Sequence, residues 1–287
     1  WGIFHAVSAF NNGGIDLFGD FRSLSGFVDQ PLVLAALGVL ILLGSLGFAI
    51  VGDIAAKRRW TRLALETRVV VLTTFAIMLI GTASIMIFEW SNPTTLGALP
   101  ESVRPFNALF EATTLRTAGF STVPTAQLRD PTLFIVMAMM FIGGASGSTA
   151  GGIKVNTFSV LLISIVSTVR GLPHAEALGR RLPAEVVQRA LAVALLSIAF
   201  IFTVALGLEL TTPPDITFVE VVFESISAFA TVGASTGITP ELPPLARALL
   251  IPAMFAGRLG PLTLVLALAA RQRKMPSRPA IETMRIG

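Results

Sequence analysis

The sequence predicts an all-α polytopic membrane protein made of repeated units. Each unit is a span, a short re-entrant helix, a glycine-centred loop and a second span. Three observations predict it. Of 287 residues, 53% are hydrophobic and 13% are charged, against roughly 25% charged in a soluble domain. Long apolar stretches follow one another along the chain, and a span needs about 20 such residues. A similar short segment occurs three times, each followed by such a stretch.

The elements follow in order. Residues 1–56 carry a short apolar segment, a glycine loop and the stretch Pro31 to Gly52, which has no charge. Residues 57–68 are a basic loop. Residues 69–169 hold the span Val69 to Phe88, a second short segment, and Pro131 to Val169, whose single charge is Lys154. Residues 170–189 read as a polar connector with Pro183 at a helix start. Residues 190–270 repeat the plan, with Ala190 to Leu208, a third short segment, and Ala248 to Ala270 interrupted only by Arg258. Residues 271–287 form a basic tail. The opening at Trp1, inside an apolar segment, reads as a piece of a longer protein.

Pro131 to Val169 is too long for one span. Its 39 residues would reach about 58 Å as a straight helix, against a hydrocarbon core of ~30 Å. The break is predicted at Gly143, Gly144, Ala145, Ser146, Gly147, Ser148, Thr149, Ala150, Gly151 and Gly152. These small residues make a poor helix. Non-helical backbone at membrane depth must lie within protein or line a water-filled cavity.

Basic residues orient the chain. Fourteen of the twenty-one Lys and Arg fall in the loop 57–68, the connector 170–189 and the tail 271–287. The positive-inside rule places that set in the cytoplasm. The three short segments then face outward.

Those segments are Phe4 to Asp16 (FHAVSAFNNGGID), Phe110 to Thr122 (FEATTLRTAGFST) and Phe223 to Thr236 (FESISAFATVGAST). Each begins with Phe and an ionisable residue, runs apolar, and reaches Gly14, Gly119 or Gly233 nine or ten positions later. A helix that enters without crossing, followed by Gly, is a pore-loop pattern. Gly permits the backbone conformation in which carbonyls face one axis. Rings of such carbonyls can replace the hydration shell of a monovalent cation.

Other chemistries find little support. There is no Cys, and the two His residues, His5 and His174, are far apart. No phosphate-binding glycine-lysine loop or paired acidic motif occurs in the spans, so the chain is not read as an enzyme. The net charge of +4 follows from topology and implies no nucleic-acid partner.

At these residues the chain resembles the Trk/Ktr/HKT superfamily of potassium transporters, most closely the bacterial Ktr/Trk membrane subunit. SAFNNGGIDLF, TLRTAGFSTV and ISAFATVGASTGIT resemble the family's second, third and fourth filter loops. FIGGASGSTAGGIKV resembles its intramembrane gating loop, and MFAGRLGPLTL a motif of its last span. The resemblance implies four repeats around one pore, of which about two and a half are present here. The first repeat, and the first span of the second, would precede Trp1. It further implies a multi-pass protein of the cell membrane, a homodimer with one pore per protomer, and a cytoplasmic ring of nucleotide-binding regulatory subunits. K⁺ would be the transported ion, Na⁺ a candidate coupling or modulating ion, and no organic cofactor is expected.

The filter residues implied are Asn12, Gly13 and Gly14, then Thr117, Ala118 and Gly119, then Thr231, Val232 and Gly233, acting through backbone carbonyls. Gly143 to Gly152 would be the gate; close helix packing through small residues is its alternative. Arg258 is expected as an electrostatic barrier or as a hydrogen-bond tether on gate carbonyls, the alternative being an Arg that snorkels to an interface. Lys154 ranks below it. Glu111 and Glu224 are expected in the first turns of their helices, where the dipole favours acids. A cation-attracting vestibule is their second reading, shared with Asp16 and Asp215. Arg116 is a candidate to neutralise a neighbouring carboxylate. The competing functions are a secondary transporter of a small solute with broken helices, and a non-conducting fragment.

Overall fold

The computed structural model describes residues 1–19 and 21–260. The expected continuation of the last span to Ala270 and the basic tail 271–287 lie outside the described residues.

Nine helices cover most of the described residues: α1 (Gly2–Phe10), α2 (Pro31–Lys57), α3 (Leu65–Glu89), α4 (Arg104–Thr117), α5 (Asp130–Phe141), α6 (Val155–Val169), α7 (Ala184–Glu209), α8 (Phe218–Ala230) and α9 (Pro244–Leu259). Helices α2, α3 and α7 are long and apolar enough to cross a membrane. They carry large apolar side chains in the open, among them Leu32, Phe48, Leu79, Ile87 and Phe202. Such surface needs lipid or a partner.

The helix starts are written locally. Prolines occupy the first turn of α2, α4, α5 and α9, where the missing N–H has no intrahelical partner to lose. Helix α8 opens with a capping box: the Thr217 hydroxyl faces the Glu220 N–H, and the Glu220 carboxylate accepts from Thr217 N at 2.8 Å. That arrangement satisfies two otherwise unpaired donors.

The spans begin or end a few residues beyond the uncharged windows, taking in Asp53, Lys57, Glu66, Glu185 and Arg189. Charged side chains in a terminal turn reach water along their own apolar stems, so they do not end a helix. The 39-residue stretch divides into α5 and α6, separated by residues 142–154. The connector 170–189 differs from an all-α plan. It holds a two-stranded hairpin, β1 (Glu176–Ala177) and β2 (Arg180–Arg181). Leu178 and Gly179 between them both have positive φ, 51° and 74°, as a tight two-residue hairpin turn demands.

Three buried clusters hold the short helices in place. Ala9 of α1, Leu34, Leu37 and Ile41 of α2, and Phe110 and Phe120 pack together. Ala108, Ala112 and Leu115 of α4 join Ile77 and Ile85 of α3 and Val136 and Met140 of α5. Val221 of α8 packs with Val204 and Leu208 of α7 and Leu250 and Ala253 of α9. Each short helix is thus packed against its neighbouring helices.

Candidate functional site

The C-terminal ends of α1, α4 and α8 converge. Helices α1 and α8 end alike. Asn12 and Thr231 adopt left-handed φ of 51° and 53°. The next N–H in each, Gly13 and Val232, donates back to Ser8 O at 2.9 Å and Ser227 O at 3.0 Å. This is the Schellman arrangement, which satisfies the last carbonyls of a helix. In α4 the Thr114 carbonyl accepts from both Ala118 N (2.7 Å) and Gly119 N (2.9 Å).

Gly14, Gly119 and Gly233 follow these caps, with φ of 61°, 86° and 84°. Side chains are rare at such angles. The three loops also stand in sequence. A Cβ on Gly14 would overlap the Ala118 carbonyl, and one on Gly119 would overlap the Val232 carbonyl. The first loop's backbone is therefore packed on a carbonyl of the second, and the second's on a carbonyl of the third, whereas a Cβ on Gly233 would meet nothing within 4 Å. Asn12, Thr117, Ala118 and Val232 are buried, whereas Gly13 and Gly233 are exposed.

Glu111 and Glu224 do not lie in the first turns of their helices. Glu111 is the eighth residue of α4 and Glu224 the seventh of α8, and both are buried. Burial also removes them from a vestibule. They brace the chain beyond the loops instead. Glu111 Oε1 accepts from Thr122 N at 2.5 Å and from Thr122 Oγ1 at 2.8 Å. Glu224 accepts from the Thr239 hydroxyl. His5, in the matching place of α1, accepts at Nε2 from Leu17 N (3.4 Å) while Nδ1 faces Trp1 O (2.9 Å). Asp16 Oδ1 accepts from Phe18 N at 2.8 Å, a local turn, and Asp215 is exposed. Arg116 is 1% exposed, and no described carboxylate lies within salt-bridge distance of it. Phe10, which is exposed, and Phe229, which is fully buried, hold its place in the other two short helices.

Residues 142–154 form a lobe zipped at its base. Gly143 N donates to Ile153 O (2.9 Å), and Val155 N to Gly144 O (2.9 Å). The lobe leans on α2, where Ala145 N donates to Ser45 O (2.7 Å) and Thr149 N to Gly44 O (3.3 Å). A Cβ on Gly151 would overlap the Thr231 hydroxyl, so the lobe also touches the loop after α8. Arg258 Nη1 donates to Thr149 O, and Lys154 Nζ donates to Ala150 O at 2.5 Å. Of the two roles expected of Arg258, the geometry is that of a tether. Lys154 is the N-cap of α6 and grips the next carbonyl.

One feature escaped the sequence reading. Gly44-Ser45-Leu46-Gly47 in α2, Gly144-Ala145-Ser146-Gly147 in the lobe and Gly257-Arg258-Leu259-Gly260 at the end of α9 share one pattern. The last Gly of each has φ of 77°, 74° and 87°. It breaks α2 internally and ends α9. Ser45, Ala145 and Arg258 are thus equivalent positions. The repeated Gly-x-x-Gly spacing was the available signal. It is hidden because α2 stays apolar through its break. Among the described residues there is no cluster of three His, Asp or Glu able to hold a metal ion.

Comparison with known proteins gives concordant results. The family model TrkH, "Cation transport protein", matches residues 1–57 and 54–278. The chain is 37% identical over 272 residues to "Ktr system potassium uptake protein B" of Bacillus subtilis, covering 94% of this chain and 60% of that protein. It is 38% identical to the protein of the same name in Vibrio alginolyticus, covering 94% and 59%. It is 35% identical to "Potassium/sodium uptake protein NtpJ" of Enterococcus hirae, covering 95% and 60%. The crystal structure of the potassium transporter TrkH from Vibrio parahaemolyticus superposes with a TM-score of 0.75 at 21% identity, over 93% of this chain and 57% of that one, and so shares its fold. The chain spans about 60% of the length of the relatives it matches. By its membrane-spanning helices and by this match over nearly its whole length, the chain belongs to the TrkH family of cation transport proteins.

Proposed function

We propose that the chain forms most of a K⁺ uptake protomer in the cell membrane, conducting through a channel-like pore. One observation carries the reading: Gly14, Gly119 and Gly233 all sit at positive φ beyond a short helix, with successive loops packed backbone on carbonyl. The carbonyls of Asn12, Gly13, Gly14, Thr117, Ala118, Gly119, Thr231, Val232 and Gly233 then form the filter, replacing water around the ion. The names of the Bacillus and Vibrio relatives favour K⁺ as cargo, and that of the Enterococcus relative keeps Na⁺ as a second ion.

In this reading Gly143 to Gly152 is the gate, held shut by Arg258 and Lys154. The filter faces outward and the basic loops face the cytoplasm, as the positive-inside rule directs. A homodimer, a cytoplasmic ring of nucleotide-binding subunits and a further repeat in the longer protein belong to the same proposal, and rest on the family resemblance.

The test is growth rescue and Rb⁺ uptake in a bacterium stripped of its K⁺ uptake systems. The gene completed upstream, co-expressed with its regulatory subunit, is compared with the same gene carrying Gly119→Ser. Rescue by the first, with lost or Na⁺-leaky uptake by the second, is expected. No rescue by membrane-inserted complete protein would overturn the proposal.

A further inference from the structure

We infer that Thr149 latches the gate to the filter, so that one hydroxyl sets both how far the loop opens and how well the filter discriminates. The inference rests on the reading of the two loops as gate and filter, and adds a coupling between them.

Thr149 is where four elements meet. Its Oγ1 lies 2.8 Å from Asn12 Nδ2, 3.2 Å from Phe10 O and 3.2 Å from Gly44 O. Its N–H donates to Gly44 O at 3.3 Å, and its carbonyl accepts from Arg258. A hydroxyl has one proton and two lone pairs. It accepts from the Asn12 amide and shares its proton between the Phe10 and Gly44 carbonyls. Phe10 is the last residue of α1, Asn12 lies in the filter loop, and Gly44 precedes the break in α2.

The Asn12 side chain is fully buried. Its other contacts, Phe10 O at 3.4 Å and Ile41 O at 3.5 Å, are long. Thr149 is therefore its one short partner among the described residues. Asn12 also holds a left-handed backbone at the start of the loop. A change in its side-chain partner is thereby transmitted to the carbonyls that follow.

Arg258 and Lys154 differ from Thr149 in kind. Both grip the lobe through its backbone carbonyls, and neither hydrogen-bonds a filter residue. Releasing Arg258 frees the gate alone. Removing the Thr149 hydroxyl frees the gate and strands the Asn12 amide. The two releases separate rate from selectivity.

The experiment uses the complete protein with its regulatory subunit, in cells lacking other K⁺ uptake. Rb⁺ uptake rate and the Na⁺-to-Rb⁺ entry ratio are measured for Thr149→Val, Thr149→Ser and Arg258→Ala, with assembly checked by size exclusion. Thr149→Val is expected to raise both rate and ratio by about two- to ten-fold, the span of one hydrogen bond. Arg258→Ala raises the rate and leaves the ratio unchanged. Thr149→Ser restores both. If Thr149→Val does not assemble, Thr149→Ala is judged by the same criterion. An unchanged ion ratio in the assembled variant would overturn the latch, while leaving filter and gate standing. No uptake by the unsubstituted protein would instead remove the filter reading itself, and the latch with it.

Discussion

Glu111 accepts two hydrogen bonds from Thr122, one from its N–H at 2.5 Å and one from its hydroxyl at 2.8 Å. This ties the middle of α4 to the chain that leaves the Gly119 loop, so the loop is held at both ends by one helix. The carboxyl group is fully buried, and hydrogen bonds to it are worth about 0.5–3 kcal/mol each, according to its charge. Glu111→Ala is therefore expected to lower stability by roughly 2–4 kcal/mol, since a stranded buried donor adds to the loss. Glu111→Gln keeps an acceptor oxygen and loses about half as much. Thermal unfolding in detergent checks the ranking. Equal melting of Glu111→Ala and the unsubstituted protein would show that the brace carries nothing.

Gly119 separates two costs that a glycine can avoid. An L residue in the left-handed region is strained by roughly 1–2 kcal/mol. At Gly119 a methyl group would also overlap the Val232 carbonyl. At Gly179, in the hairpin turn, φ is 74° but nothing lies within 4 Å. Gly119→Ala should thus abolish discrimination among ions or abolish uptake. Gly179→Ala should cost about 1 kcal/mol of stability and leave Rb⁺ uptake unchanged. Comparable loss of uptake in both would mean that strain alone, not loop-on-loop packing, matters at Gly119.

The fold was legible wherever a single residue type forces a choice. Gly-rich residues 143–152 cannot continue a helix, so the break between α5 and α6 stands where composition predicts it. The spans were legible because apolar length is itself the signal. Glu111 and Glu224 were not. A helix start is marked by short-range capping signals, and α4 begins at Arg104 and α8 at Phe218, several residues before the Phe that opens each repeated segment. Pro105 and the Thr217–Glu220 box were the markers to weigh. The Arg258 contact was half legible. A charge in an apolar span demands a partner, but only tertiary structure says that the partner is the Thr149 carbonyl.

The lobe 142–154 is held mainly by contacts to its own backbone, and this decides what its removal should do. Deleting Ala145 to Ala150 leaves the zipped base, Gly143 N to Ile153 O and Val155 N to Gly144 O, within reach of closure. It removes the carbonyls that Arg258 and Lys154 grip. The deletion in the complete protein is expected to assemble and to raise Rb⁺ flux several-fold, about the factor carried by one or two hydrogen bonds. Flux at or below that of the unsubstituted protein, with assembly intact, would sink the gate.

Glu89 offers a test of structure without transport. It ends α3 with 0% exposure, and its carboxylate accepts four hydrogen bonds. Oε1 takes Arg129 N at 2.9 Å and the Thr132 hydroxyl; Oε2 takes Asn92 Nδ2 and Thr95 Oγ1, each at 2.6 Å. These partners belong to the turn after α3 and to the start of α5, so one carboxylate pins the entry to α4 and the entry to α5 together. Among the described residues no cation pairs with it; the four hydrogen bonds stabilise the charge. Glu89→Gln replaces one acceptor oxygen by a donor, which must face either the Arg129 N–H and the Thr132 hydroxyl or the Asn92 amide and the Thr95 hydroxyl. At least one buried donor then meets another donor, at a cost of roughly 1–3 kcal/mol. Glu89→Gln is therefore expected to be clearly destabilising, and Glu89→Ala, which strands all four donors, more so. Faster proteolysis within residues 91–103 in both Glu89 variants, with ion selectivity unaltered in whatever protein assembles, is the expected result. A Glu89→Gln variant as resistant as the unsubstituted protein would mean that Glu89 carries a proton in the native state and already donates one of the four bonds.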